Sequence, residues 1–111
     1  MRWIGVDLHK HYAYVAELSA DGTRHEYRVS IPSGLGEFCA RLTPTDQVAV
    51  EASTSSFRFG EMVARHAGRV VVSESAQTRG AVSRSAMNDQ KAADCLARLL
   101  RSEFVPSSSK K

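Results

Sequence analysis

Asp7 and Glu51 each stand inside a short apolar run: Trp3-Ile4-Gly5-Val6-Asp7-Leu8 and Val48-Ala49-Val50-Glu51-Ala52. A carboxylate in a buried strand is costly unless it is paired, hydrogen-bonded or bound to a cation. Two of them, on strands that could be neighbours in one sheet, suggest a shared cation. The alternative is two unrelated buried acids, each satisfied by hydrogen bonds alone.

Other residue types suggest weaker chemistry. His9 and His11 are two apart, so on a strand they would share a face and could bind a soft metal; otherwise they are strand-end surface residues. Lys10 could touch a phosphate or offset the carboxylates. Ser53, Thr54, Ser55 and Ser56 resemble a nucleophile loop, but no His or acid is placed to activate them, and helix capping is the simpler role. Trp3, Phe38, Phe57 and Phe59 read as core or near-core residues. Cys39 and Cys95 are isolated, without CxxC spacing, and read as free thiols of a reducing cytosol.

The elements that must position these residues follow from periodicity. Residues 2–8 and Tyr12 to Leu18 read as strands, and Ala20-Asp21-Gly22-Thr23 as a turn. Arg24 to Ile31 alternates polar and apolar, as a half-exposed strand does. Pro32-Ser33-Gly34 opens a helix through about Leu42, with Leu35, Phe38, Cys39 and Leu42 on one face. Gln47 to Ala52 is a nearly all-apolar, central strand. A helix over about Phe57 to Ala67, ended by Gly68, and a strand over Arg69 to Ser73 come next. Residues 74–87 fit a loop or a short helix equally. A last helix runs from about Asn88 to Glu103, with Ala92, Leu96, Leu99 and Leu100 near one stripe. The expected order is β-β-β-α-β-α-β-α, an α/β domain with a mixed five-stranded sheet. RNase H-like nucleases and the half-domains of actin-like ATPases share that order. Residues 1–105 form one domain and 106–111 a disordered tail.

The chain of 111 residues has 42% hydrophobic and 24% charged residues, ordinary for a globular domain. Its net charge of +3 is uneven: residues 79–111 hold seven Lys/Arg against three acids. A basic last third suits a polyanion such as nucleic acid, or is simply a solvated helix face with a tail. No apolar run reaches the roughly 18 residues of a membrane span. A signal peptide is not expected, because Asp7 and Lys10 interrupt any apolar core near the N-terminus, and a cytoplasmic location follows.

Three segments together resemble one known family. Ile4-Gly5-Val6-Asp7-Leu8-His9-Lys10 resembles the opening of DEDD-type insertion-sequence transposases. Val50-Glu51-Ala52-Ser53 resembles their second motif, where Glu-Ala-Thr is usual. Asn88-Asp89-Gln90-Lys91-Ala92-Ala93-Asp94-Cys95-Leu96-Ala97 resembles their third, Asn/Thr-Asp-x-x-Asp-Ala-x-x-Leu-Ala, and Phe104-Val105-Pro106 falls where that family has a similar ending. The resemblance spans nearly the whole chain, in order and spacing. It implies a RuvC-like, RNase H-fold N-terminal domain holding Mg²⁺ (or Mn²⁺) on Asp7, Glu51 and Asp89, which would be the catalytic residues. It implies DNA as partner, a structured guide RNA in some members, and a homodimer. Full-length members carry a C-terminal domain with a serine nucleophile, which this sequence, ending at Lys111, is expected to lack. Lys10, Arg79, Arg84 and Lys91 are the expected nucleic-acid contacts.

The chain departs from the family at one position. The fourth acid should lie three residues after the third, and that position is Ala92. Asp94 is five residues on, rotated by about 140° from Asp89 on a regular helix, and would replace the missing acid only if Asp89 precedes the regular helix. With three acids for two dications, the expectation is one weakly bound metal, or none without nucleic acid. Two further readings stand beside the transposase. One is a non-catalytic nucleic-acid-binding or oligomerisation module on the same scaffold. The other is an actin-like kinase or ATPase half, since Gly5-Val6-Asp7 also resembles a first phosphate loop; it needs a glycine-rich second loop that the sequence lacks.

Overall fold

The computed structural model describes residues 1–51, 56–73 and 89–102, and for residues 89–91 the backbone only. Three antiparallel strands open the chain: β1 (Arg2–Leu8), β2 (Tyr12–Ser19) and β3 (Arg24–Ser30). Helix α1 (Leu35–Ala40) leads to β4 (Gln47–Glu51), α2 (Ser56–Ala64) to β5 (Arg69–Ser73), and α3 (Asp89–Ser102) is the last described element. The expected mixed five-stranded sheet with helices is present. Its spatial order, β3-β2-β1-β4-β5, is not the chain order. β4 pairs parallel with β1 and β5 parallel with β4, so β1 sits at the centre with one antiparallel and one parallel neighbour.

The two sides of the sheet differ. Ile4, Val6, Val15, Val48, Val50 and Val72 point to one side and pack with Phe38 of α1 and with Phe59 and Val63 of α2. Residues one step away, Trp3, Ala49 and Val71, point to the other side and pack with Leu96 and Leu100 of α3. Alternation along β1 and β4 therefore puts Asp7 and Glu51 on the α3 side.

Small residues set how closely α3 approaches. Gly5 lies between Ala16 of β2 and Ala49 of β4 in register. A Cβ on Gly5 would come within 2.0 Å of the Ala93 carbonyl oxygen and 2.7 Å of the Ala97 nitrogen. The helix backbone rests directly on the β1 backbone, and only glycine leaves room for it.

Several element ends differ from expectation. α1 stops at Ala40 rather than Leu42, because Arg41 and Leu42 N–H groups turn to carbonyls three residues back, Phe38 and Cys39. α2 stops at Ala64 for the same reason, with Arg65 and His66 bonding to Met62 and Val63. Phe57 is 49% exposed, not core: the buried face of α2 is Phe59, Gly60 and Val63, and a residue two before Phe59 lies about 200° around the helix. β1 ends at Leu8 and β2 begins at Tyr12, so His9 and His11 lie in a turn and do not share a strand face. Among the described residues no helix is long and apolar enough to cross a membrane.

Candidate functional site

Parallel pairing of Val6 with Val50 puts Asp7 and Glu51 one residue further along adjacent strands, on one face. Neighbouring strands run about 4.8 Å apart. Both carboxylates are buried, at 7% and 8% exposure. They stand at the carboxyl ends of the central parallel pair, the usual position for a site in an open α/β sheet. The same row continues across the sheet in both directions. Tyr14 is opposite Asp7 and Arg28 opposite Tyr14, while buried Ser73 is opposite Glu51.

The turn after β1 folds back onto the site. His9 Nε2 lies 2.8 Å from Asp7 Oδ2, and since a carboxylate only accepts, Nε2 is the donor. The His9 backbone N–H also donates to the Tyr12 carbonyl, closing the turn. The His9 ring stacks on the Tyr12 ring with centroids 4.5 Å apart and planes 18° off parallel. The Arg28 guanidinium sits 4.0 Å from the centroid of the same tyrosine. Asp7, His9, Tyr12 and Arg28 thus form a contiguous chain from the buried carboxylate to the rim of the sheet. Lys10 and His11, between them in sequence, are exposed.

Helix α3 supplies the other wall. It begins at Asp89, and Ala92, Ala93, Leu96 and Leu100 are buried beneath it. The Cys95 thiol is pushed up by burial, then by the charges of Asp94 and Glu51. Asp94 is engaged by two arginines. Its Oδ2 accepts from Arg98 Nε at 2.7 Å and its Oδ1 from Arg24 Nη1 at 3.1 Å, tying α3 to β3. The side chains of Asp89 and Lys91, and all of Arg79, Arg84 and Ser53 to Ser55, lie outside the described residues. Among the described residues no three His, Cys, Asp or Glu side chains converge to hold a metal ion. Asp7 and Glu51 supply two hard oxygen donors side by side, and a third must come from elsewhere. Cys39 and Cys95 are both free and buried, as expected.

A second polar cluster lies at the opposite end of β1. Arg2 grips Asp46 through Nε at 3.2 Å and Nη2 at 2.7 Å, and reaches Glu17 through Nη1 at 3.0 Å. Its Nη2 also donates to the Arg41 carbonyl. Tyr27 donates its hydroxyl to Glu17. Burial pushes the Asp46 carboxyl up, but the hydrogen bonds from Arg2 and the Thr43 N–H outweigh it and hold the group below the usual carboxylate range. This cluster ties β1, β2 and the loop before β4 together without an open coordination position.

Sequence reasoning singled out Asp7 and Glu51, which lie side by side, but not Tyr12, Tyr14 and Arg28 in the same row or beside it. The signal was available: strand alternation, with the hairpin register, sets Arg28 beside Tyr14 and Tyr14 beside Asp7. No protein-family model matches the chain, and no curated protein matches it.

Proposed function

We propose that the chain is an RNase H-like, RuvC-like catalytic domain of the DEDD insertion-sequence transposase type, acting in DNA transposition. The observation that supports this reading is the buried pair Asp7 and Glu51, side by side at the carboxyl ends of β1 and β4 on the face that α3 covers. Asp89 opens that helix, so all three acids of the resemblance belong to elements that meet on one side of the sheet. Asp7, Glu51 and Asp89 would hold Mg²⁺ or Mn²⁺. Two such ions stabilise the attacking and leaving oxygens in phosphoryl transfer.

The chain's own residues shape this site in three ways. Close packing of α3 on Gly5 fixes the distance between helix and sheet. The His9 hydrogen bond fixes the rotamer of Asp7 and competes with a cation for Oδ2. Ala92 at the family's fourth acid position leaves a charge deficit, and the Asp94 ion pairs remove the one nearby substitute. The domain is therefore a weak metal binder and incomplete or inactive alone. DNA is the partner; a guide RNA, a second copy of the chain and a cytoplasmic location follow from the resemblance and the composition. A non-catalytic nucleic-acid-binding or oligomerisation module on this scaffold is the second reading, favoured by Ala92.

Calorimetric titration of Mn²⁺ and Mg²⁺ into the chain, Asp7→Asn and Ala92→Asp tests this. The expected result is one weak site in the unmodified chain, none in Asp7→Asn, and tighter binding in Ala92→Asp. Metal binding indifferent to both substitutions would sink the proposal.

A further inference from the structure

Of the described cations near the sheet without a carboxylate partner, Arg41 on Tyr27 and Arg69 on Gln47 lie at the Arg2 end, and Arg28 and Lys10 at the Asp7 end. Arg2, Arg24 and Arg98 are each engaged by a carboxylate. Among the described residues neither Lys10 nor Arg28 has such a partner; both are exposed. Arg28 is nevertheless held. Its guanidinium lies on Tyr12, Tyr12 is stacked by His9, and His9 is anchored to Asp7. An arginine resting on an aromatic face keeps its outward N–H donors free and loses little freedom when they are used. Register puts it in the same cross-sheet row as the carboxylate pair, two strands from Asp7.

A phosphodiester brought to two buried carboxylates is repelled by them unless cations lie along its path. Toward β3, the described surface beside Asp7 carries Lys10, His11 and Arg28; Glu26, the next residue on the same face of β3, is paired with Arg24. On the other side of the site Glu51 is followed by the neutral Ser73. We infer that the ledge formed by Lys10 and Arg28, with Tyr12 beneath, is the contact surface for the phosphate backbone of a DNA strand that enters the Asp7–Glu51 site from the β3 side. The ledge positions the strand; it takes no part in the chemistry. The inference deepens the proposed function and rests on its assignment of DNA as substrate.

The test is fluorescence anisotropy of a labelled single-stranded oligodeoxynucleotide across a salt series, with EDTA present so that binding is independent of metal. The variants are Lys10→Ala/Arg28→Ala, Arg28→Lys, and Arg65→Ala. Arg65 is exposed just after α2, on the far side of the sheet. Removing both ledge cations should weaken binding about tenfold and lower the slope of log K against log salt by about 1.4, some 0.7 for each phosphate contact. Arg28→Lys should retain most of the affinity, and Arg65→Ala all of it. All four proteins should share one far-ultraviolet dichroism spectrum and one melting temperature. A double variant that binds as tightly as the parent overturns the inference, as does a parent that binds an RNA strand but not DNA. If Mn²⁺ binding still depends on Asp7 in that case, the proposed function stands without the ledge. A ledge-dependent affinity without Asp7-dependent metal binding would keep the ledge and reject the catalytic reading.

Discussion

Asp46 is the carboxylate whose environment is described most completely. Arg2 makes a two-pronged contact with it, and its side chain is 2% exposed. Removing Asp46 costs its charge-assisted hydrogen bonds, while Arg2, a quarter exposed, keeps Glu17, so the loss is about 1.5–3 kcal/mol. Asp46→Ala should lower stability in urea by that order, whereas Asp21→Ala, at an exposed turn, should change it far less. The pH dependence follows from the same contact. A folded-state pKa below the unfolded one contributes stability at pH above the unfolded value, and that contribution disappears as pH falls through the folded value. Chemical denaturation from neutral pH down through the carboxylate range should show a stability loss that Asp46→Asn makes shallower. An identical acid limb in the two proteins would mean that Asp46 is not held low.

Packing of α3 on β1 decides whether there is a site at all. Gly5→Ala puts a methyl group 2.0 Å from the Ala93 carbonyl oxygen. That neighbour is helix backbone, so the clash is relieved only by moving α3 off the sheet, at about 3 kcal/mol or more. Gly22 has φ +93° and nothing within 4 Å of the added methyl, so Gly22→Ala should cost only about 1–2 kcal/mol of backbone strain. Thermal unfolding of the pair checks the order; equal losses would mean that α3 is not seated on β1. The same element shows what was legible in the sequence. The apolar stripe of Ala92, Leu96 and Leu100 was readable from period alone, as were the five strands. So was the burial of Asp7 and Glu51 in strands, whereas the pairing of those strands rests on the sheet register. The ends of α1 and α2 were not, because three-residue carbonyl bonds close those turns without a distinctive residue. The exposure of Phe57 was hidden by its hydrophobicity, and the role of Gly5 by its place in a motif. A glycine in a strand signals close approach only once the crossing helix is known.

On the scale of the molecule, the sheet separates two tasks. One side is filled by valines with Phe38, Phe59 and Val63, a packed layer closed at one end by the Arg2–Glu17–Asp46 cluster. The other carries Asp7, Glu51, the ion pairs of Asp94 and the last helix, so a cation bridging β1, β4 and α3 would couple metal binding to global stability. Ala92 is buried, and Ala92→Asp places a carboxylate where the metal-free protein has no use for it, at about 2–3 kcal/mol. A ligand at a hundred times its dissociation constant restores about 2.7 kcal/mol. In a domain of this size each kcal/mol moves the melting temperature by about 4–8 °C. Ala92→Asp should therefore melt well below the parent in EDTA and return close to it in saturating Mn²⁺, while the parent rises less and Asp7→Asn not at all. A variant that Mn²⁺ cannot rescue would put position 92 outside the metal site and leave a binding module on the same scaffold.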